Sequence, residues 1–215
     1  MTDTLRINEI FYSIQGESSY AGLPCVFIRL TGCNLRCAWC DTNYSFTEGG
    51  PMTLDEIIAS VQAYNCPLVE VTGGEPLLQP DVLRLMTRLC DLSKTVLLET
   101  SGAVDIAPVD SRVVRIMDLK CPSSGECAAN RYANLGHLTA KDEIKFVLAD
   151  RTDYDWARQQ VAERRLNQIA SVLFSPVWDK LPLAMLAEWI LADHLTVRLQ
   201  TQWHKQIWGA NTRGV

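Results

Sequence analysis

The sequence predicts an α/β fold built around a largely parallel β-sheet. Short apolar, β-branched segments recur along the chain, and segments with helical periodicity lie between most of them. The apolar segments are continuous rather than alternating, which is typical of strands that are buried on both faces. Because strands that alternate with helices form βαβ units, we expect these strands to run parallel. A closed eight-unit barrel takes about 250 residues, so a chain of 215 residues favours an open or partial barrel, or a doubly wound sheet.

The predicted elements follow one another in a regular order. The predicted strands cover residues 26–30, 68–72, 95–99, 113–119, 143–148, 171–174 and 195–199. The predicted helices cover residues 54–64, 81–92, 152–166 and 183–192. The first helix is preceded by Thr53, and Glu56 stands three residues later, which is the pattern of a capping box. Residues 122–138 are rich in Ser, Gly and Asn and are predicted to form a loop or insertion.

Composition and charge predict a single domain over residues 1–215, in the cytoplasm. Apolar residues make up 47% of the chain and charged residues 21%, which is an ordinary globular balance. A net charge of −5 argues against non-specific nucleic-acid binding, which needs a basic face. The longest apolar stretch, 181–192, is broken by Pro182 and Glu188 and is short of the ~20 residues of a membrane span. The N-terminus lacks a signal-peptide pattern, so eight cysteines indicate metal binding, catalysis or free thiols rather than disulfides.

Three cysteines form a C-x3-C-x2-C pattern directly after the strand predicted at 26–30. Structural zinc and ferredoxin-type clusters use four ligands, and the next cysteines along the chain are distant, at Cys25 and Cys66. Three thiolates, from Cys33, Cys37 and Cys40, suit a [4Fe–4S] cluster that leaves one iron open. Three core cysteines, or a zinc site completed from elsewhere in the fold, would be the alternative.

A second motif extends this pattern. Trp39 precedes the last cysteine, and Thr72 is followed by Gly-Gly-Glu-Pro at 73–76, after the second predicted strand. Together these motifs resemble the signature of the radical S-adenosylmethionine (SAM) superfamily. The resemblance implies a partial, open TIM-like barrel of the radical SAM type. It also implies that the open iron binds SAM and that one electron from an external donor, such as flavodoxin or ferredoxin, generates a 5′-deoxyadenosyl radical.

Further segments along nearly the whole chain are similar to the 7-carboxy-7-deazaguanine synthase family. They read NEIFYSIQGE at 8–17, FIRLTGC at 27–33, DT at 41–42, ETSG at 99–102, DLKCP at 118–122 and QWHK at 202–205. Ser18 departs from the QGEG that the family often shows. The resemblance implies a lyase of queuosine and deazapurine biosynthesis that converts 6-carboxy-5,6,7,8-tetrahydropterin to 7-carboxy-7-deazaguanine with loss of ammonia. It further implies catalytic use of SAM, assistance by Mg²⁺ and a homodimer.

The same resemblance assigns candidate site residues. Cys33, Cys37 and Cys40 match the cluster ligands, and Thr42 matches a Mg²⁺ ligand. Substrate-binding positions match Ile14, Gln15, Gly16, Arg29, Thr72 and the C-terminal Val215. SAM-binding positions match Trp39, Asp41, Gly74, Glu75, Ser101, Asp118, Leu119, Lys120, Ser175, Pro176, Val177 and Trp178. A guanidinium can hold the substrate carboxylate bidentately and an amide can pair with a pterin edge, which suits Arg29 and Gln15.

Four alternatives remain open from the sequence. Arg29 could instead form a structural salt bridge, and the last residues could be a loose tail. An activase that abstracts hydrogen from a glycine of a partner protein shares the cysteine motif. An iron–sulfur electron carrier would need four ligands and no Gly-Gly-Glu-Pro loop.

Overall fold

Nine strands form a single sheet in the computed structural model, which describes residues 3–215. The strands are β1 (Thr4–Ile14), β2 (Pro24–Leu30), β3 (Gly50–Thr53), β4 (Leu68–Gly73), β5 (Thr95–Thr100), β6 (Val114–Asp118), β7 (Glu143–Leu148), β8 (Ser171–Pro176) and β9 (Arg198–Leu199). Their order is β3-β1-β2-β4-β5-β6-β7-β8-β9. All pairs from β2 to β9 are parallel, while β1 runs antiparallel to both β2 and β3.

The strand order distinguishes the two architectures that the sequence left open. From β2 to β9 the strands follow chain order without reversal, as in a barrel, whereas a doubly wound sheet reverses direction at its centre. The two edge strands, β3 and β9, do not pair with each other. The prediction of an open, mainly parallel α/β barrel is therefore confirmed.

The helices lie close to their predicted positions. They are α1 (Leu54–Ala63), α2 (Val82–Asp91), α3 (Arg151–Glu163), α4 (Leu183–Ala192) and α5 (Trp203–Trp208). The capping box before α1 forms as expected, with the Thr53 side chain accepting from the Glu56 amide. Helix α3 ends earlier than the predicted residue 166, because Arg165 takes a left-handed backbone conformation that turns the chain. No helix within residues 3–215 combines the length and apolarity needed to cross a bilayer.

Other differences from the prediction lie at the two edges of the sheet. The sequence did not predict strands β1 and β3 or helix α5. Strand β1 contains polar residues between its buried positions, so it shows no continuous apolar run. The strand predicted at 195–199 shortens to Arg198–Leu199, which pairs only with β8. The segment 122–138 is an insertion as predicted, and it contains three short 3-10 turns.

Candidate active site

A cavity of about 830 Å³ opens at the carboxyl ends of the parallel strands. Most of the predicted site residues line it, and only Glu75, Leu119 and Pro176 do not. Those that line it are Ile14, Gln15, Gly16, Arg29, Cys33, Cys37, Trp39, Cys40, Asp41, Thr42, Thr72, Gly74, Ser101, Asp118, Lys120, Ser175, Val177, Trp178 and Val215. The fold thus brings together residues from the whole length of the chain.

The three cysteines of the motif lie on the loop that leaves β2. All three are half-buried free thiols that face the cavity. Burial raises the pKa of each thiol, and the ammonium group of Lys120 acts in the opposite direction on all three. The site therefore combines three sulfur donors with a nearby cation that favours their thiolate forms.

The Gly-Gly-Glu-Pro loop packs against the backbone that leads into the cysteine loop. A Cβ on Gly73 would come within 2.3 Å of the Leu30 carbonyl oxygen, and one on Gly74 within 2.1 Å of the Gly32 carbonyl oxygen. Gly73 also has a φ of +142°, which L side chains rarely adopt. Both positions therefore need glycine because the neighbouring backbone lies so close.

Glu75 lies behind the cavity wall rather than in it. Its carboxylate is fully buried and accepts hydrogen bonds from the Thr100 hydroxyl at 2.9 Å, the Ser101 amide at 2.8 Å and the Leu77 amide at 3.0 Å. The Ser101 hydroxyl also donates to it. Glu75 therefore positions Ser101, which does line the cavity.

The side-chain amide of Gln15 is held at both ends. Its Nε2 donates to the carboxyl group of Glu70, and its Oε1 accepts from the Glu17 amide at 3.0 Å. Gln15 and Glu70 are both buried. A Cβ on the adjacent Gly16 would come within 2.4 Å of the His204 ring, so α5 closes over this turn. The orientation of Gln15 is therefore set by the fold.

Burial and the negative charge of Glu99 raise the pKa of Glu70 well above its ordinary value of 4.5. The unfolded chain then loses the Glu70 proton at a lower pH than the folded chain, so stability falls as pH rises from 4.5 toward the raised value. We expect Glu70→Gln, which keeps an acceptor for Gln15, to remove this loss and to be more stable than the parent at pH 7. Chemical denaturation between pH 4 and pH 8 measures the free energy of unfolding of the parent and the variant, with Glu188→Gln on α4 as the control. A variant with the same pH slope as the parent would contradict the assignment.

Lys145 lies at the centre of a cluster of carboxylates within the cavity wall. Its Nζ donates to Glu99, lies 3.0 Å from a Glu17 oxygen and 3.6 Å from an Asp118 oxygen. Although burial opposes it, Lys145 lowers the pKa of Glu99 to about 2. Asp118 also pairs with Lys120. These groups form a compact network of alternating charge.

The C-terminal helix is tied to the cysteine loop by a second ion pair. The Nζ of Lys205 lies 2.6 Å from an oxygen of Asp41, the residue between Cys40 and Thr42. Asp41 also accepts from the Thr42 hydroxyl at 3.0 Å. Although burial opposes it, Lys205 lowers the pKa of Asp41 to about 2. The loop that carries Cys40 and Thr42 therefore has a fixed carboxylate beside it.

Arg29 forms a structural salt bridge and also faces the cavity. Its Nε donates to Glu9 at 2.7 Å, which is a structural salt bridge. Its two terminal nitrogens make no hydrogen bond within residues 3–215, and the residue lines the cavity. One edge of the guanidinium is thus available to an anionic ligand.

The C-terminal tail covers one side of the cavity, whose lining includes residues 210–215. The Arg213 guanidinium stacks over the Tyr44 ring at 3.7 Å and pairs with Glu48 at 3.1 Å. Tyr44 in turn donates to Glu9, the partner of Arg29. The tail is therefore anchored over the site.

Comparison with known proteins places the chain in a family. Residues 27–159 match the family model for the radical SAM superfamily. The chain is 49% identical to the 7-carboxy-7-deazaguanine synthase of Koribacter versatilis over 98% of its own length and all of that protein. It is also 49% identical to the enzyme of the same name from Chlorobaculum tepidum, covering 98% of this chain and 97% of that one.

The chain belongs to the 7-carboxy-7-deazaguanine synthase family of the radical SAM superfamily. A more distant relative with the family name, from Thermoplasma acidophilum, is 40% identical over 95% of this chain and 98% of its own length. The crystal structure of QueE from Escherichia coli superposes with a TM-score of 0.77, covering 93% of this chain and 94% of that one, at 24% identity. That likeness supports the open-barrel fold.

The donor set of the cavity fits the cofactors of this family. Within residues 3–215, no three His, Cys, Asp or Glu side chains converge on a point that would hold a single metal ion. A [4Fe–4S] cluster binds its thiolates through different irons, so its ligands lie farther apart than those of one zinc ion. Mg²⁺ usually keeps several waters and takes only one or two protein ligands beside its substrate, which the Thr42 hydroxyl can satisfy.

Several cavity residues of this family member were not among the predicted site residues. Glu70, Glu99 and Lys145 all line the cavity, as do Glu17 and His204. Glu70 and Lys145 each stand between apolar residues of a buried strand. A charged residue in a strand buried on both faces needs a partner, and this signal could have identified them.

Proposed function

We propose that this protein converts 6-carboxy-5,6,7,8-tetrahydropterin to 7-carboxy-7-deazaguanine with loss of ammonia. The observation that carries the proposal is that one cavity joins the three-cysteine loop to the available edge of the Arg29 guanidinium and to the C-terminal tail. A cluster site and a carboxylate-binding site thus face each other across a space large enough for SAM and a small pterin. The 49% identical relatives named for this reaction support it.

The cofactor half of the cavity lies on the loops after β2, β4, β5, β6 and β8. We assign Cys33, Cys37 and Cys40 to a [4Fe–4S] cluster, which with SAM would supply radical hydrogen abstraction. The residues assigned to SAM contact are Trp39, Asp41, Gly74, Ser101, Asp118, Lys120, Ser175, Val177 and Trp178. Glu75 supports Ser101 from behind the wall, and we expect Leu119, which is buried outside the cavity, and Pro176 to act through their neighbours.

The substrate half lies between the 14–16 turn and β2. Arg29 would bind the substrate carboxylate through its two terminal nitrogens, which gives a bidentate, charge-assisted contact. The Thr72 hydroxyl donates to Glu99 at 2.8 Å, so its oxygen remains available as an acceptor. The Thr42 hydroxyl would hold Mg²⁺ against the same substrate carboxylate. Ile14, Gln15 and Gly16 present a fixed edge to the pterin ring.

Anaerobic reconstitution tests the proposed function directly. The reconstituted protein is incubated with SAM, dithionite, Mg²⁺ and 6-carboxy-5,6,7,8-tetrahydropterin, and the product is identified by mass spectrometry and ultraviolet absorbance. We expect 7-carboxy-7-deazaguanine as the product, and we expect less than one molecule of SAM to be consumed for each molecule of product. Formation of 5′-deoxyadenosine without a deazapurine would point to another substrate, including a glycine of a partner protein.

Deletion of Gly214 and Val215 is expected to raise the KM for the pterin, with a smaller effect on kcat. We propose that the terminal carboxylate pairs with the guanidine-like edge of the pterin, and a charge-assisted hydrogen bond of this kind contributes about 1.5–3 kcal/mol. Initial rates over a range of substrate concentrations give both constants. Amidation of the full-length C-terminus is the matched control, since it removes only the charge. An unchanged KM in the truncated protein would rule out a contact by the tail.

We also propose a homodimer, an external one-electron donor such as flavodoxin or ferredoxin, and residence in the cytoplasm. Exposed apolar side chains near the C-terminus support a dimer, with Leu191 73%, Ile207 53% and Trp203 50% exposed. All eight cysteines are free thiols, which suits a reducing compartment. Size-exclusion chromatography with light scattering tests the dimer.

A further inference from the structure

The middle cysteine of the motif is anchored on both sides to one short segment. The backbone N–H of Arg36 donates to Oε1 of Glu126 at 2.6 Å. The backbone N–H of Ala38 donates to the Ser124 carbonyl oxygen at 3.0 Å. The residues that precede and follow Cys37 are therefore both held by residues 121–126, which lie about ninety positions later in the chain.

The anchoring segment is itself rigidly braced. The hydroxyl of Ser124, which is 1% exposed, donates to the Cys121 carbonyl oxygen at 2.6 Å and accepts from the Glu126 amide at 3.1 Å. The Ser123 amide donates to Asp153 at 2.9 Å. Asp153 is fully buried in the first turn of α3. Hydrogen bonds thus tie residues 121–126 to α3 on one side and to the backbone around Cys37 on the other.

The cysteine loop has little internal structure that could hold Cys37 in place by itself. From residue 33 to residue 40 it contains no helix or strand, and its one backbone–backbone hydrogen bond runs from the Cys40 amide to the Cys37 carbonyl at 3.1 Å. The Arg36 side chain also donates to the Cys33 and Leu35 carbonyl oxygens, and the Leu35 amide donates to the Cys33 sulfur, but none of these bonds holds the residues on both sides of Cys37. A loop of this kind would sample many conformations, and ordering it costs roughly 1–2 kcal/mol per residue. The two anchors from residues 121–126 limit that freedom before a cluster binds.

We propose that Glu126 is a positioning residue for the cluster, and that its carboxylate oxygen holds the Arg36 amide so that Cys37 is in place to ligate iron. The inference rests on the assignment of Cys37 to the cluster under the proposed function. Glu126 does not line the cavity, so it acts through the loop and not by contact with SAM or substrate. Residues of this kind, one step removed from a metal, change metal affinity by about 10–100-fold when they are replaced.

The test compares three variants of the full-length protein. Glu126→Ala removes the acceptor, whereas Glu126→Gln keeps an oxygen in the same position without the charge. Glu188→Ala is the matched control, because the exposed side chain of Glu188 makes no hydrogen bond or ion pair within residues 3–215. Each protein is reconstituted anaerobically and challenged with a ferrous chelator, and the rate of iron release is followed by absorbance. Hydrogen exchange of the cluster-free proteins measures the exchange rates of the Arg36 and Ala38 amides, which report the two anchoring hydrogen bonds directly.

We expect Glu126→Ala to release iron about tenfold faster than the parent and to exchange the Arg36 amide faster. Glu126→Gln and Glu188→Ala should release iron and exchange the Arg36 amide at rates close to those of the parent. Thermal melting of the cluster-free proteins should be similar in all four, which separates positioning from general destabilisation. Iron release at the parent rate in Glu126→Ala, or equally fast release in Glu126→Gln, would overturn the role of the acceptor. If the parent itself takes up no cluster, the cluster assignment falls and the positioning role falls with it.

Discussion

Replacement of Lys145 with methionine is expected to lower the free energy of unfolding at pH 7 by about 3 kcal/mol, near the lower end of the range for breaking a buried ion pair. Lys145 is 4% exposed and faces Glu17, Glu99 and Asp118. Its removal leaves three carboxylates close together with only Lys120 to balance them. The Glu99 side chain keeps 30% exposure, which places the effect below that of a fully buried pair.

The pH dependence of this loss has a definite sign. Glu99 has a folded-state pKa of about 2, below its ordinary value of 4.5. The stability that it contributes is therefore present above pH 4.5 and is lost as the pH falls toward 2. Since methionine removes the cause of the low pKa, the difference between the parent and the variant should shrink through that same window.

Urea denaturation at pH 7 and at intervals down to pH 3 measures both effects. Lys141→Met is the control, because Lys141 is an exposed lysine whose loss should change stability by no more than about 0.5 kcal/mol. A Lys145→Met protein that is as stable as the parent at pH 7 would show that the cluster contributes no net stability. Adding Glu99→Gln to Lys145→Met should recover part of the loss.

The order of elements in the barrel was readable from the sequence because the central strands are buried on both faces. A strand such as Thr95–Thr100 is apolar at its central positions, and that requirement appears in the sequence as the continuous run Val96-Leu97-Leu98. Strand β1 is only partly buried and polar residues stand between its buried positions, so no continuous apolar run appears. The short β9 is set by its pairing with β8 rather than by its own composition.

Some residues of the candidate site could likewise be predicted from the sequence, and others could not. Motif residues were found because thiols and glycines at fixed spacings are rare by chance, and they lie on consecutive loops at one edge of the sheet. Glu70 and Lys145 carry no motif, and only the arrangement of the strands in the folded sheet brings them next to Gln15 and Glu99. Glu75 shows the converse, since its motif identifies it but its carboxylate points away from the cavity to Thr100 and Ser101.

Replacement of Cys37 with alanine is expected to abolish the brown cluster chromophore and SAM cleavage together. The cavity lining contains Cys33, Cys37 and Cys40 and no other cysteine, so no thiol is available to take the place of the middle ligand. A cluster that is already bound by three protein ligands loses its attachment when one is removed, because the open iron is reserved for SAM.

The chromophore is read by absorbance after anaerobic reconstitution, and SAM cleavage by the yield of 5′-deoxyadenosine or methionine under dithionite. Cys90→Ala is the matched control, since Cys90 is a half-buried thiol on α2 outside the cavity. It should keep both signals at the parent level. Retention of either signal by Cys37→Ala would show that the cluster is bound elsewhere. Loss of the chromophore in Cys90→Ala as well would show that reconstitution depends on general thiol content, because the two cysteines differ chiefly in their access to the cavity.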